Sequence, residues 1–278
     1  MSAESNVHYD ESVDFFESFL DPYMKYSACL FADPTEPLEV ASARMLDAHI
    51  DAAGVREGAR VLEIGNGWGS VLRRLHETRR GFEYTGVNPS GVQQAFVAGR
   101  VDPSARLVTG RFEDVMGALE GPYDSIFMIG SLCHIQEKER VLAKVAELLA
   151  PEGTVVLEDT FFLSEDLLNK HRSRPETRFV QRDVFGFAFV ESLGRHFDAA
   201  RTAGLQVMST LDVSEHYART IEVWSGRLSG LDPARYPLAE QFVRYMDIFQ
   251  RGWGYTITEQ VMKLRKLRRR QPVAQRAA

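Results

Sequence analysis

The stretch Val61-Leu62-Glu63-Ile64-Gly65-Asn66-Gly67-Trp68-Gly69 has the residue types and spacing most suited to holding a ligand. An apolar strand runs into glycines at alternate positions, and a helix through Leu72 and Leu75 follows. Glycine accepts positive φ and lets a ligand approach bare backbone. The spacing Gly-x-Gly-x-Gly is not the Gly-x-Gly-x-x-Gly that seats a pyrophosphate, and no Gly-Lys-Ser/Thr follows as a phosphate loop requires. Glu63 sits inside the strand, ahead of the turn. A carboxylate there suits a ligand with a cationic group, such as an amino acid, better than it suits a pyrophosphate. His134 follows a later apolar strand, at the carboxyl edge where α/β sheets bind ligands. It is a candidate base or substrate contact, with a structural loop histidine as the alternative.

These groups need a scaffold, and the middle of the chain supplies one by alternating short apolar strands with helices. Strands are expected at 60–64, 82–87, 107–109, 125–129, 154–157, 205–210 and 255–261, with helices near 91–98, 138–149 and 198–203. That rhythm predicts an α/β chain whose mostly parallel sheet is covered by helices on both faces. Residues 8–31 read as helical and aromatic, and 38–53 as an amphipathic helix. The rhythm breaks at 161–190, which holds Phe161, Phe162, Phe179, Phe185, Phe187 and Phe189, and 213–250 reads as helical again.

The glycine turn resembles the first motif of class I S-adenosylmethionine methyltransferases. Other segments narrow the resemblance to the cyclopropane fatty acid synthase-like family: His8-Tyr9-Asp10 with Phe15-Phe16, Tyr26-Ser27, Gly86-Val87-Asn88-Pro89-Ser90 with Gln93, Arg111-Phe112-Glu113-Asp114, Gly130 to His134, and His216-Tyr217-Ala218-Arg219-Thr220 with Trp224. The ordered set runs from about residue 8 to about residue 262. It implies a Rossmann-like fold with a seven-stranded sheet, an N-terminal helical lid over 1–53, a catalytic domain over 54–262 with an aromatic insertion at 161–192 and a helical cap at 213–250, and a basic tail over 263–278. It implies S-adenosylmethionine as cofactor. Tyr26, Ser27, Glu63, Gly65, Asn66 and Gly67 fall to its methionine part, Asn88 and Gln93 to the ribose, Phe112 and Glu113 to the adenine, and Gly130 to the same site.

The family's cyclopropane-forming members hold a bicarbonate ion as base, and three of its ligand positions differ in this chain. By the resemblance they fall on Ala28, Cys133 and Glu158, and only Tyr245 keeps the family residue. Glu158 is adverse to an anion because like charges repel. Ring closure needs a base that removes a proton from the added methyl group, whereas plain methyl transfer needs only an aligned nucleophile. The expectation is therefore C-methylation of an alkene or isoprenyl-type lipophilic acceptor in secondary metabolism, open to cation-driven cyclisation afterwards, since aromatic faces stabilise a cation. Glu158, His134 and Tyr245 are the catalytic candidates. Glu158 is a candidate acceptor of the proton that quenches the cation, with a helix-cap or surface carboxylate at a strand end as the alternative; Glu158→Gln is thus expected to lower turnover and spare cofactor affinity. N-methylation of an amine is the second expectation, and cyclopropane synthesis the third.

Composition bounds these readings. The 278 residues, 44% hydrophobic and 26% charged, make an ordinary globular chain and exclude collagen-like, coiled-coil and disulfide-scaffold classes. The two cysteines, Cys29 and Cys133, fit a reduced cytoplasmic protein, and no metal-ligand spacing is present. The N-terminus lacks the pattern of a signal peptide, and no apolar run is long enough to span a membrane. Lys263, Arg265, Lys266, Arg268, Arg269, Arg270 and Arg276 concentrate positive charge at the end; without them a chain of formal charge −6 leaves −13 on residues 1–262. An acidic body argues against nucleic acid as a partner. The expected partner is a small lipophilic or amine substrate, with a homo-oligomer open, and the basic end is expected to be a solvated or frayed terminus.

Overall fold

A computed structural model describes residues 12–267. Seven strands form one sheet: β1 (Arg60–Ile64), β2 (Glu83–Asn88), β3 (Arg106–Thr109), β4 (Tyr123–Ile129), β5 (Leu149–Phe162), β6 (Leu205–Asp212) and β7 (Ile257–Lys266). Their order is β3-β2-β1-β4-β5-β7-β6. The first five pair in parallel, and β7 runs antiparallel to both β5 and β6. Central strands are apolar on both faces, as in Val61-Leu62, Ile126-Phe127-Met128 and Val155-Val156-Leu157, all buried, which is what a parallel sheet covered on two sides demands.

The helices are α1 (Val13–Glu17), α2 (Leu38–Ala53), α3 (Ser70–Thr78), α4 (Gly91–Arg100), α5 (Phe112–Val115), α6 (Lys138–Leu148), α7 (Glu165–His171), α8 (Pro175–Arg178), α9 (Leu193–Thr202), α10 (Ser214–Ser229) and α11 (Ala239–Gln250). Leu46 and Ile50 of α2, Leu72 and Leu75 of α3 and Val97 of α4 pack with Phe127 and Val156 on one face. Val141, Leu142 and Val145 of α6 and Ala199 and Ala200 of α9 pack with Ile126, Met128 and Leu157 on the other. A third, aromatic core joins Phe15, Phe16 and Phe19 to Trp224 of α10, Phe242 and Tyr245 of α11, and Trp68 of the glycine turn. This core ties the N-terminal segment and the cap to the strand ends where the ligand motifs lie. Among the described residues no helix is long and apolar enough to cross a membrane.

Four expectations change. Of residues 8–31, only the five residues of α1 are helical among those described. Pro22 follows Asp21, Met24 takes a positive φ of 57°, and the carbonyls of Phe19 and Leu20 accept from Arg227 at 3.0 and 2.8 Å, so the chain is held as an irregular strap against α10. The motif His8-Tyr9-Asp10, like Arg268, Arg269, Arg270 and Arg276, lies outside the described residues. Strand β5 is fourteen residues long rather than four: β7 pairs with it as far as Phe162, and at its start Leu149 pairs with Tyr123 of β4. Strand β7 in turn continues to Lys266, so Lys263, Arg265 and Lys266 belong to the sheet and not to a frayed end. Leu264, 1% exposed and paired with Val155 and Val207, anchors that extension. The 213–250 segment divides into α10 and α11 around Gly230, Pro233 and Pro237, where a continuous helix is interrupted.

Candidate active site

The turn after β1 is built on positive φ at Gly65 (82°), Gly67 (50°) and Gly69 (79°). At Gly65 a Cβ would lie 2.5 Å from Cβ of Ser131, whose hydroxyl donates to the Ile64 carbonyl at 2.6 Å. At Gly67 and at Gly130 (φ 61°) a Cβ would meet nothing within 4 Å. The Ser131 hydrogen bond ties β1 to the exit of β4, and Gly67 and Gly130 leave backbone bare to a cavity. That cavity encloses about 1010 Å³ of empty space, including its open mouth, and Tyr26, Ser27, Glu63, Gly65, Asn66, Gly67, Asn88, Gln93, Phe112, Glu113, Gly130 and His134 all line it. The structure therefore gathers every residue assigned to the cofactor, together with His134, around one space.

The residues present fit S-adenosylmethionine. Glu63 is buried with the Tyr84 hydroxyl as its hydrogen-bond donor at 2.5 Å, and burial pushes its carboxyl up to about 8. Such a carboxyl, ionising reluctantly for want of a positive neighbour, is suited to a cationic ligand group. The Oδ1 of Asn66 is buried and without a hydrogen-bond partner on the same wall. Asn88 donates to Gln93 Oε1 at 2.7 Å at the exit of β2, and buried Phe112 presents an apolar surface beside Glu113.

A second cavity, of about 600 Å³, shares Tyr26, Ser27, Gly130 and His134 with the first. Its wall is aromatic, with Phe185, Tyr217, Tyr245 and Phe249, and carries Cys133, Asp159, Thr160 and Glu259. Thr160, Val180, Gln181, Val190 and Phe249 pass from it into an outer chamber. Val180 and Gln181 belong to a π-helical turn, Phe179–Val184; such turns are frequent at functional sites.

The three catalytic candidates separate. Tyr245 lines the second cavity, its hydroxyl hydrogen-bonded to that of Tyr26 and its pKa raised by burial. His134 lines both cavities, hydrogen-bonds through Nδ1 with the Phe187 carbonyl at 3.2 Å, and is pushed down to about 4 by burial, so it is neutral near pH 7. Glu158 lines neither. Its carboxylate is fully buried, 3.6 Å from Lys25 Nζ and 2.8 Å from His49 Nε2, and accepts from the Ala28 amide at 2.9 Å. Burial opposes ionisation, yet Lys25 and His49 outweigh it and hold the pKa at about 2. A carboxylate so placed is an anchor for the strap and a poor proton acceptor. Cys29 is also buried, its thiol pushed up to about 12, and it stands away from both cavities.

Asp159 and Glu259 were not among the candidates. The signal was the period of two along a strand: if Glu158 faces the strap, its neighbour faces away from it. With the strand read as 154–157, Glu158 and Asp159 fall beyond its end, whereas Glu259 lies inside the strand expected at 255–261.

The model of the family "Mycolic acid cyclopropane synthetase" matches residues 1–265. A tuberculostearic acid methyltransferase of Mycobacterium tuberculosis is 29% identical over 236 residues, 80% of this chain; the chain spans 53% of that relative's length. Cyclopropane mycolic acid synthase 3 of the same organism is 28% identical over 256 residues, covering 86% of this chain and 87% of the relative. The crystal structure of a mycolic acid cyclopropane synthase complexed with SAH and CTAB superposes with a TM-score of 0.80 at 24% identity, over 94% of this chain and 96% of that one.

Proposed function

From the premise that this chain belongs to the mycolic acid cyclopropane synthetase family and is an S-adenosylmethionine-dependent methyltransferase, we propose that it methylates a carbon of a lipophilic acceptor of alkene or isoprenyl type. One observation carries the reading: a second, aromatic-walled cavity joined to the cofactor cavity through Tyr26, Ser27, Gly130 and His134. When bound, the cofactor supplies an electrophilic methyl group on a sulfonium. Glu63 and the strap residues Tyr26 and Ser27 hold its amino-acid end, and Phe112 and Glu113 its base. The acceptor's double bond lies among Tyr26, Tyr217, Tyr245 and Phe185, which exclude water and place ring faces around the positive charge that develops once the new carbon–carbon bond forms.

Two features argue against ring closure assisted by a bound bicarbonate, the base of the cyclopropane-forming members. Ala28 and Cys133 offer no ionisable ligand for an anionic base at neutral pH, since burial and the neighbouring Asp159 raise the Cys133 thiol. Glu158 fills the remaining position with negative charge. A second reading, N-methylation of an amine, is favoured by the carboxyl groups of Asp159 and Glu259 on the cavity wall, which suit a substrate cation. Incubation with methyl-labelled cofactor and a panel of prenylated indoles, prenyl diphosphates and amines tests both. Label in the carbon skeleton of a prenyl acceptor is expected; label in amines alone overturns the carbon reading.

A further inference from the structure

We infer that Asp159 is the proton acceptor of the reaction, removing the proton that returns the methylated, cationic acceptor to a neutral alkene. The inference rests on the alkene reading above. Asp159 and Glu158 are adjacent on β5 and face opposite ways. Glu158 closes on Lys25 and His49, whereas Asp159 lines the acceptor cavity. Asp159 is 2% exposed. Its Oδ2 accepts from the Cys133 amide at 2.8 Å and its Oδ1 from the Thr160 amide at 2.9 Å. Two backbone donors on two different segments fix the carboxyl rigidly, the Cys133 thiol is a third donor to it, and a carboxylate's two oxygens together offer about four acceptor sites, which leaves room for a proton. The Cys133 amide belongs to the turn that presents Gly130 and His134 to the cofactor cavity, so the acceptor's reacting end and this carboxyl are registered by one short segment.

The step balances. The alkene electron pair forms the bond to the methyl carbon as the carbon–sulfur pair passes to sulfur, leaving a neutral thioether and a cationic acceptor. The carbon–hydrogen bond next to the cationic carbon then breaks, its electrons form the new double bond, and the proton passes to an Asp159 oxygen. The groups facing Asp159 are the Cys133 thiol, Lys138 of α6 and Glu259 of β7. Burial pushes Asp159 up to about 6, against the lowering effect of its hydrogen bonds and of Lys138. A carboxylate of that basicity is ionised at neutral pH and far more receptive to a proton than Glu158 at about 2. Glu259, whose carboxyl accepts from the Thr160 hydroxyl at 2.5 Å, is raised well above the usual range by burial and by Glu158 and Asp159.

The test uses the full chain with an alkene acceptor that the wild type methylates. Asp159→Asn is expected to keep cofactor affinity within a few-fold, to lower kcat by about 10²–10⁴-fold, and to divert product toward the alcohol formed when water captures the cation. Asp159→Glu is expected to restore part of the rate and the alkene product. Wild-type kcat is expected to fall about tenfold per pH unit below about 6, and Asp159→Asn to lose that limb. An Asp159→Asn enzyme with kcat within about threefold of wild type and the same alkene product overturns the inference. If Asp159→Asn fails to bind cofactor, the wild-type profile decides: a rate flat across the acid range overturns it. A wild type that methylates only amines overturns the alkene reading, and the inference with it; loss confined to the proton-acceptor tests leaves that reading standing.

Discussion

Glu63, near the end of β1, and Glu158, within β5, are both buried carboxyls, and their surroundings drive them in opposite directions. Glu63, with a pKa of about 8 in the folded chain against an ordinary value of 4.5, takes up a proton on folding. The ligand-free protein is therefore stabilised by that proton at low pH and loses the contribution as pH rises from about 4.5 through about 8. Thermal midpoints of ligand-free wild type should fall across this window more steeply than those of Glu63→Gln, and equal slopes would sink the assignment. A cationic ligand beside Glu63 works in the other direction: its affinity should rise with pH up to about 8 and stop doing so in Glu63→Gln. Glu158 is the counter-ion of Lys25, which is 1% exposed and also bonded to the Ser27 hydroxyl and the Ala28 carbonyl. Breaking a buried pair by removing one partner costs about 3–5 kcal/mol. Glu158→Gln should therefore destabilise the fold by about that amount and weaken cofactor binding, because Tyr26 and Ser27 ride on the strap it anchors. This reverses the sequence-based expectation that cofactor affinity would be spared; denaturant unfolding and calorimetric titration decide, and an unchanged affinity restores the original role.

Single elements explain which parts of the site could be read from the chain. The cofactor cavity is assembled from strand exits, where each contributing group lies within a few residues of a recognisable turn: Glu63 to Gly67 after β1, Asn88 to Gln93 after β2, Phe112 and Glu113 after β3, Gly130 after β4. The acceptor cavity takes its wall from Cys133, Asp159, the π turn, Tyr217, Tyr245, Phe249 and Glu259, segments far apart in sequence and without a shared motif. Which side chains face it depends on how far β5 extends, and that is set by pairing with β7 about a hundred residues later, information that local pattern does not contain. The glycine turn offers a contrast within one element. Gly65→Ala and Gly67→Ala both place an L-residue at positive φ, at about 1–2 kcal/mol each. Only Gly65→Ala also forces a Cβ against Ser131. Gly65→Ala should thus lower the thermal midpoint distinctly more, whereas Gly67→Ala should fold with a modest loss and fail in cofactor titration, its Cβ pointing into ligand space. Equal melting of the two variants would contradict this division of roles.

Across the whole molecule, the uneven charge of the sequence acquires a different meaning. Lys263, Arg265 and Lys266 lie on β7, which stands between β5 and β6 and is the only strand β6 pairs with among the described residues. The basic end therefore begins inside the sheet. The positive charges are carried on a strand whose alternate residues Met262 and Leu264 are buried in the core shared with α6 and α9. A chain ended after residue 262 loses the pairs Leu205↔Lys266, Gln206↔Arg265, Val207↔Leu264 and Ser209↔Lys263, and with them the half of β6 nearest α9. It also loses the side chain of Leu264, whose replacement by Ala alone should cost about 2–5 kcal/mol. That is a large share of the 5–15 kcal/mol by which a typical domain is stable. The truncated chain is expected to show no cooperative thermal transition and no cofactor binding, and Leu264→Ala a lowered but cooperative one. Because the acceptor cavity uses Glu259 at the other end of β7, the same strand carries fold and site together. A truncated protein that melts within a few degrees of the full chain and still binds cofactor would show instead that β7 past Met262 is dispensable to both.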